Sequence, residues 1–326
     1  MIERQIKPEV AAIFAEVARG RRGIYTDDAA FESLLADAKA ALEKADPETV
    51  ELIQQFARAE VPDGGILFHG LIVDQDEMGE SPRDEEAFHT KDRDPSTEAA
   101  LLAFAAAAGE VFAFARQHGG TLIQNVTPVP GHEYDAVGTG SRSLLDWHSE
   151  DAFDDAHPQF VGLFCVRGDE RVQTALAPVD RVSLTAEEEA VLRQPRYMHG
   201  IDKASGGTGR PEDGVQGAAL YGEGGNRFVR IDMDCAAAVA GDDEAAAALQ
   251  SFHDGADKAG IYVTLGTGDI LLFDNRRVMH ARTPFEPRYD GTDRWLQRVI
   301  ISDDLGRSTD RRTNHLRVVE NELVNA

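Results

Sequence analysis

The chain has 326 residues, 42% of them hydrophobic, and its 58 Asp and Glu outnumber 33 Lys and Arg for a formal net charge of -25. That length buries a sizeable core in one large domain or two, and that charge excludes a binder of nucleic-acid phosphates, which needs basic stripes. Two cysteines, Cys165 in the apolar run VGLFCV and Cys235 after RIDMD, offer neither a disulfide framework nor a zinc knuckle.

In chain order, the N-terminus MIERQIKPEV lacks an apolar signal core and no stretch is long enough to span a bilayer, so no membrane partner is expected and the cytoplasm is the default compartment. Val10, Ile13, Phe14 and Val17 repeat at helical spacing, Asp27 or Asp28 caps a second helix through Leu42, and Asp46-Pro47 opens a third through Ala59. The first 60 residues therefore read as an amphipathic helical layer. GGILFHG reads as a strand whose His69 is packed or hydrogen-bonded rather than ligating. Segment 74–95 is charged, punctuated by prolines and long for a plain connection, so it is either disordered or a lid. Pro95 to His118 reads as one long helix, capped by Ser96 or Thr97, with Leu101, Leu102, Phe104, Ala108, Val111 and Phe112 on its apolar face.

Short strand signals follow in LIQNVTPV, the segment ending at His148, FVGLFCV and ALAPVDRVSL. Thr185 to Arg193 is a helix with Thr185 as cap and Glu188 at the third following position. The glycine-rich stretch 200–217 reads as a mobile loop and a second lid. NRFVRIDMD is a strand, Asp242 to Lys258 a helix, and IYVTLGTGDILLFDNRRVMHAR two strands turning at Gly266-Thr267-Gly268. No repeat or linker divides the chain, so a single domain over 1–326 is expected, with a helical layer over 1–120, a β core over 121–306 and a polar tail or short edge element over 307–326. About eight short strands wrapped by helices predict a mainly β fold with helical additions, built as a double-sheet barrel.

His148 and Glu150, in LLDWHSEDA, are one residue apart, so on an extended strand both point to one face while Ser149 points away. Alone the pair says little, because 10 His and 58 acidic residues bring such spacings together by chance. His280, in VMHAR after the apolar run Ile270 to Phe273, offers a third ligand. Two histidines and one carboxylate on one face of iron(II) leave the opposite positions open for substrate and oxygen. In DRWLQRVIIS, Arg294, Leu296 and Arg298 share a strand face, and two guanidinium groups there are costly to bury unless anions meet them. Asp232 and Asp234 alternate in the same way, as an acceptor fork for a guanidinium or ammonium or as two surface aspartates on a solvated edge. Together these pairs predict a polar pocket in the barrel mouth.

WHSEDAF, GDILLFDNRRVMHAR and DRWLQRVIIS resemble the clavaminate-synthase-like branch of iron(II)/2-oxoglutarate-dependent oxygenases, especially its free amino acid hydroxylases acting on arginine, lysine or asparagine, over Leu122 to Gly306. The resemblance implies a double-stranded β-helix (jelly-roll, cupin-like) core, with Fe(II) and 2-oxoglutarate as cofactors and O2 as co-substrate. It implies His148, Glu150 and His280 as iron ligands, Arg294 on the distal carboxylate of 2-oxoglutarate and Arg298 on the substrate carboxylate. In arginine hydroxylases of peptide-antibiotic pathways an Asp-x-Asp grips the guanidinium. By that likeness Asp232 and Asp234 take the role, and free L-arginine is hydroxylated at the β or γ carbon with succinate and CO2 as co-products. Gln124 and Ser141 resemble polar residues used near the substrate backbone, and the second oxygen of Glu150 would accept from the substrate amino group. Because Glu150 stands where related halogenases have Gly or Ala, hydroxylation is expected over halogenation. Other readings keep the cofactors but act on lysine, citrulline or a carrier-bound residue, or end in desaturation or ring closure. A reading from another class is a non-catalytic cupin-like metal or ligand binder.

Overall fold

The computed structural model describes residues 1–83, 88–223, 226–312 and 317–320. A helical layer comprises α1 (Pro8–Ala18), α2 (Asp28–Ala45), α3 (Pro47–Ala57), the single turn α4 (Gln75–Met78) and α5 (Ser96–Ala108). The starts are set locally: Asp27 accepts from the Ala29 N–H, and Asp46 accepts from Thr49 with Pro47 in the first helical position. Helix α5 is apolar nearly all round because it is enclosed, with α1, α2 and α3 on one side and the main sheet on the other.

The main sheet runs β1-β2-β14-β6-β16-β3-β17. Its strands are β1 (Ile2–Gln5), β2 (Gly65–His69), β3 (Glu110–Phe114), β6 (Phe160–Arg167), β14 (Ile270–Asp274), β16 (Trp295–Ser302) and β17 (Val318–Val319), with β4 (Gln124–Val126) also on β16. Facing it is a smaller sheet, β13-β7-β15-β5, made of β5 (Leu145–His148), β7 (Thr174–Pro178), β13 (Ile261–Val263) and β15 (Val278–Arg282). Leu163, Leu271, Phe273 and Leu296 of the large sheet meet Leu176 and Val278 of the small one in a shared apolar cluster, and these opposed sheets are the jelly-roll core. Outside the small sheet lie α6 (Ala186–Leu192), opened by a Thr185/Glu188 capping box, and α7 (Asp243–Ala259), capped by Asp242. Peripheral pairs comprise β8 (Tyr197–His199) with β9 (Val215–Gly217) and β12 (Ala236–Ala238), and β10 (Leu220–Tyr221) with β11 (Phe228–Val229).

Several local expectations change. The first residues are not all helical, since β1 pairs in parallel with β2. The helix expected over Pro95 to His118 stops at Ala108, so Val111 and Phe112 lie on β3. Gly109 makes the break: a Cβ there would stand 2.4 Å from the Ser302 carbonyl oxygen, and the EVFAF that follows suits a half-buried strand. The strand expected over NRFVRIDMD shrinks to β11, leaving Asp232 in an isolated bridge with His148 and Asp234 in a turn. The run IYVTLGTGDILLFDNRRVMHAR forms three strands, β13, β14 and β15, and the Gly266–Gly268 turn crosses from the small sheet to the large one.

Segment 74–95 is tied down over its described residues. Arg167 donates to Gln75, Ser81 and the Gly79 carbonyl, Phe88 meets Trp295 edge-on at 5.0 Å, and Arg93 pairs with buried Glu98. Residues 84–87 of that expected lid, and 313–316 and 321–326 of the expected tail, lie outside the described residues. The rest of the tail supplies edge strand β17 beside β3. His69 is hydrogen-bonded, its Nδ1 2.9 Å from Asp269, and both cysteines are free and buried. Among the described residues no helix is long and apolar enough to cross a membrane.

Candidate active site

His148 ends β5, Glu150 follows in the turn beyond it, and His280 lies on β15 directly across from His148. The H-x-E pair thus does not share an extended strand as its spacing suggested. Asp151, with φ 54° in the left-handed region that Asp tolerates better than most residues, turns the chain so that Glu150 still faces inward. One donor atom from each of His148, Glu150 and His280 lies within 4.8 Å of the others, close enough for one ion. The His148 Nδ1 is 2.8 Å from the Asp146 carbonyl, which fixes Nδ1–H as donor and leaves Nε2 for a ligand. Burial, then the neighbouring His148, pushes the His280 imidazole down to about 4, so the ring is neutral as metal binding requires. Burial raises the Glu150 carboxyl, but Arg298, with His280 and His148, outweighs it and holds the group ionised below the usual range. Its Oε2 is buried without a hydrogen-bond partner, 3.5 Å from His280 Nε2. An unsatisfied carboxylate oxygen beside two imidazoles is the donor set a divalent transition metal takes.

Three cationic side chains line the same cavity. Arg294 just precedes β16 and Arg298 lies within it, with Leu296 between them on the cavity face, while Trp295 and Val299 pack toward the helices. Arg294 is 7% exposed, donates to Thr174 Oγ1 at 3.1 Å and has no carboxylate partner among the described residues. Arg298 binds Glu150 and, through Nε at 2.9 Å, Gln124 Oε1. Arg282, two residues after His280, donates to the Ser141 and Ser143 carbonyls at 2.8 and 3.1 Å and keeps one buried nitrogen unpartnered. Ser141 therefore holds Arg282 through its backbone rather than lining the cavity with its hydroxyl.

The acidic side differs from the expected fork. Asp232 lines the cavity, but Asp234 is exposed and its Oδ2 accepts from the Asp146 N–H at 2.9 Å. The two carboxylates do not lie side by side on the cavity wall, because residues 232–234 turn instead of running extended. Asp151 and Asp202 line the cavity in its place. Gln117 donates to Asp151 and, at 2.8 Å, to Ser205, whose N–H and hydroxyl bond Asp202 at 2.7 and 3.1 Å. Burial, reinforced by Glu150, pushes Asp151 and Asp202 above the usual carboxylate range. Burial and the nearby Asp234 and Asp202 push Asp232 to about 6 against the pull of His148. None of the three has a Lys or Arg partner among the described residues. Of the two expected lids, 200–217 contributes Gly200, Asp202 and Ala204 to the lining, and no described residue of 74–95 does.

Asp151, Asp202, Gln117, Thr174 and Arg282 were not singled out from sequence. A lone Asp among 58 acidic residues carries no local signal, although Asp151 and Arg282 sit beside the two motifs that did.

Residues 212–300 match the model of the taurine catabolism dioxygenase TauD, TfdA family. The chain is 31% identical over 291 residues to enduracididine beta-hydroxylase of Streptomyces hygroscopicus, covering 82% of this chain and 84% of that one. It is 35% identical over 258 residues to L-asparagine oxygenase of Streptomyces coelicolor, covering 78% and 75%. The non-heme iron oxygenase OrfP in complex with Fe and alpha-ketoglutaric acid superposes with a TM-score of 0.86 at 30% identity over 97% of this chain and 99% of that one. OrfP in complex with Fe, succinate and (3S)-hydroxy-L-Arg gives the same TM-score of 0.86 at 29% identity, covering 98% and 100%.

Proposed function

This chain belongs to the TauD/TfdA family of iron- and 2-oxoglutarate-dependent oxygenases, among its amino acid hydroxylases, and from that premise we propose that it hydroxylates a free basic amino acid, L-arginine first, at the β or γ carbon. The observation that carries the reading is the division of one cavity into a cationic side with spare donors and an acidic side with no Lys or Arg partner among the described residues. Buried like charges without partners are unfavourable in the empty protein and favourable once a ligand of opposite sign arrives.

In this reading His148, Glu150 and His280 hold the iron. Iron and 2-oxoglutarate, when bound, supply oxygen activation, with succinate and CO2 as co-products. Arg294, steadied by Thr174, takes the distal carboxylate of 2-oxoglutarate. Arg298 takes the substrate carboxylate while Gln124 and Glu150 keep its fork oriented; Glu150 Oε2 faces the metal, and its other oxygen, Oε1, accepts from the substrate amino group as well as from Arg298. Asp232, Asp202 and Asp151 receive the cationic end, so a chain stretched between Arg298 and these carboxylates presents its middle carbons to the metal. A carboxylate held by Arg298 favours a free amino acid over a carrier-bound residue, whose carboxyl is consumed in the tether. An ammonium suits the same three acids, which keeps lysine as the second substrate.

The test is to incubate iron-loaded protein with 2-oxoglutarate and each of the twenty amino acids, following succinate and a mass gain of one oxygen. Arginine is expected to gain it. Oxygen incorporation into asparagine with none into arginine or lysine would refute the basic-substrate reading.

A further inference from the structure

We propose that His253, on the outer face of the molecule in α7, is a positioning residue for His148, acting through Asp146; the proposal rests on His148 being a metal ligand. β5 is the last strand of its sheet, bonded on one side to β15 with a register shift between His280 and Arg282 and met on the other only by the short 231–233 segment, whose Ile231 carbonyl accepts from the Ser149 N–H at 2.7 Å and whose Met233 N–H donates to the Trp147 carbonyl at 3.0 Å. Such an edge does not by itself hold a metal ligand to a few tenths of an ångström. Beyond these backbone bonds, β5 is pinned at Asp146 from three directions. Its N–H donates to Asp234 Oδ2 at 2.9 Å, its carboxylate accepts from the Trp147 N–H at 2.7 Å and from His253 Nε2 at 2.9 Å, and its carbonyl accepts from His148 Nδ1–H at 2.8 Å.

The helix grips the next residue as well. Asp257, one turn on from His253, accepts from Trp147 Nε1 at 2.7 Å, and a Cβ on Gly260 would meet the Trp147 ring at 3.1 Å. Helix α7 therefore reads two consecutive strand residues with side chains at i and i+4. The carbonyl that accepts from the far nitrogen of a ligating histidine sets its tautomer and ring angle, and here that carbonyl belongs to the residue His253 holds. The His253–Asp146 pair is half-exposed, with 27% and 23% of each side chain accessible, so its contribution to folding is small. Positioning and stability can thus be separated. The 232–234 turn also gains a double duty: Asp232 faces the cavity while Asp234 steadies the strand bearing His148.

The experiment titrates Co(II) alone into metal-free, full-length protein, reading calorimetric affinity and the visible d–d band. H253A is expected to bind Co(II) about tenfold more weakly with a shifted band, and to melt without metal close to wild type. H253Q, whose amide nitrogen reaches the position of Nε2, should restore both. D146N keeps the carbonyl but loses the carboxylate that His253 grips; it should match H253A, and the double variant should be no worse than either single one. D254A, on the same helix but off the strand, should leave binding unchanged. H253A indistinguishable from wild type, H253Q as impaired as H253A, or additive single effects would each overturn the positioning role while leaving the metal site standing. A wild-type protein that takes up no Co(II) would overturn the metal reading itself.

Discussion

Asp232 shares its cavity with Glu150, Asp151 and Asp202, and its carboxyl is pushed from 3.8 to about 6 by burial and like charges. Because the folded-state value lies above the unfolded one, the native protein holds this proton more tightly, and stability is lost as pH rises through about 6. The loss is at most about 3 kcal/mol at neutral pH, at 1.36 kcal/mol per pH unit. D232N should therefore raise the melting temperature of the metal-free protein at pH 7.5, with the gap narrowing toward pH 4.5 in a scan of both proteins. The same variant loses a charged acceptor and should raise KM for arginine roughly 10- to 100-fold. Arg294 presents the opposite sign of the same trade. R294M should raise KM for 2-oxoglutarate roughly 100-fold by losing a charged pair, yet it should melt no lower than wild type without ligand, because an unpaired buried charge has been removed. Steady-state kinetics and calorimetry on one preparation check both halves.

At the scale of the element, β16 is the organising strand. Its cavity face carries Leu296 and Arg298 in line with Arg294 just before the strand, while on the other face Trp295 Nε1 donates to Asn125 of β4 at 2.8 Å and Gln297 donates to Glu98 of the helical layer at 2.8 Å. Glu98 is fully buried and burial raises its carboxyl, but Arg93 outweighs that and holds it below the usual range. Arg93 comes from segment 74–95, so the described part of that segment anchors the back of the site. R93M leaves Glu98 buried without its cation and should cost about 3–5 kcal/mol in a urea titration at pH 7. With a depressed folded-state value, the pair's contribution in wild type is present above the usual Glu range and lost as pH falls through it, so the two proteins should converge on acidification.

At the scale of the molecule, neighbouring strands β5 and β15 of the small sheet bring His148, Glu150 and His280 from distant parts of the chain to one point, so a metal that binds only the folded form stabilises the whole. Metal at a hundredfold over its Kd should add about 2.7 kcal/mol to unfolding. E150A should abolish that increment in a thermal melt with and without Co(II). Much of this was legible beforehand. His-x-Glu said little alone, but together with a histidine after the apolar run before VMHAR and two arginines on one apolar strand it reports on chemistry that burial alone would not select. Alternation on β16 survived intact because that strand is long and paired on both sides. Alternation at 232–234 did not, because β11 ends at Val229 and the chain turns. The helix expected over Pro95 to His118 ends at Ala108 for a similar reason, since a backbone contact at Gly109 decides where it stops.

Residue chemistry along the chain determined the ligand types, the two cationic positions of β16 and the two-sheet class, because each depends on neighbours within a few positions. Which carboxylates enter the cavity was decided only by the fold. Asp202 reaches it from a loop, Asp151 by a left-handed turn, and Asp234 is diverted to the backbone of β5. Those assignments depend on contacts between residues 34 to 88 positions apart, where loop closure and packing act and local pattern has nothing to report.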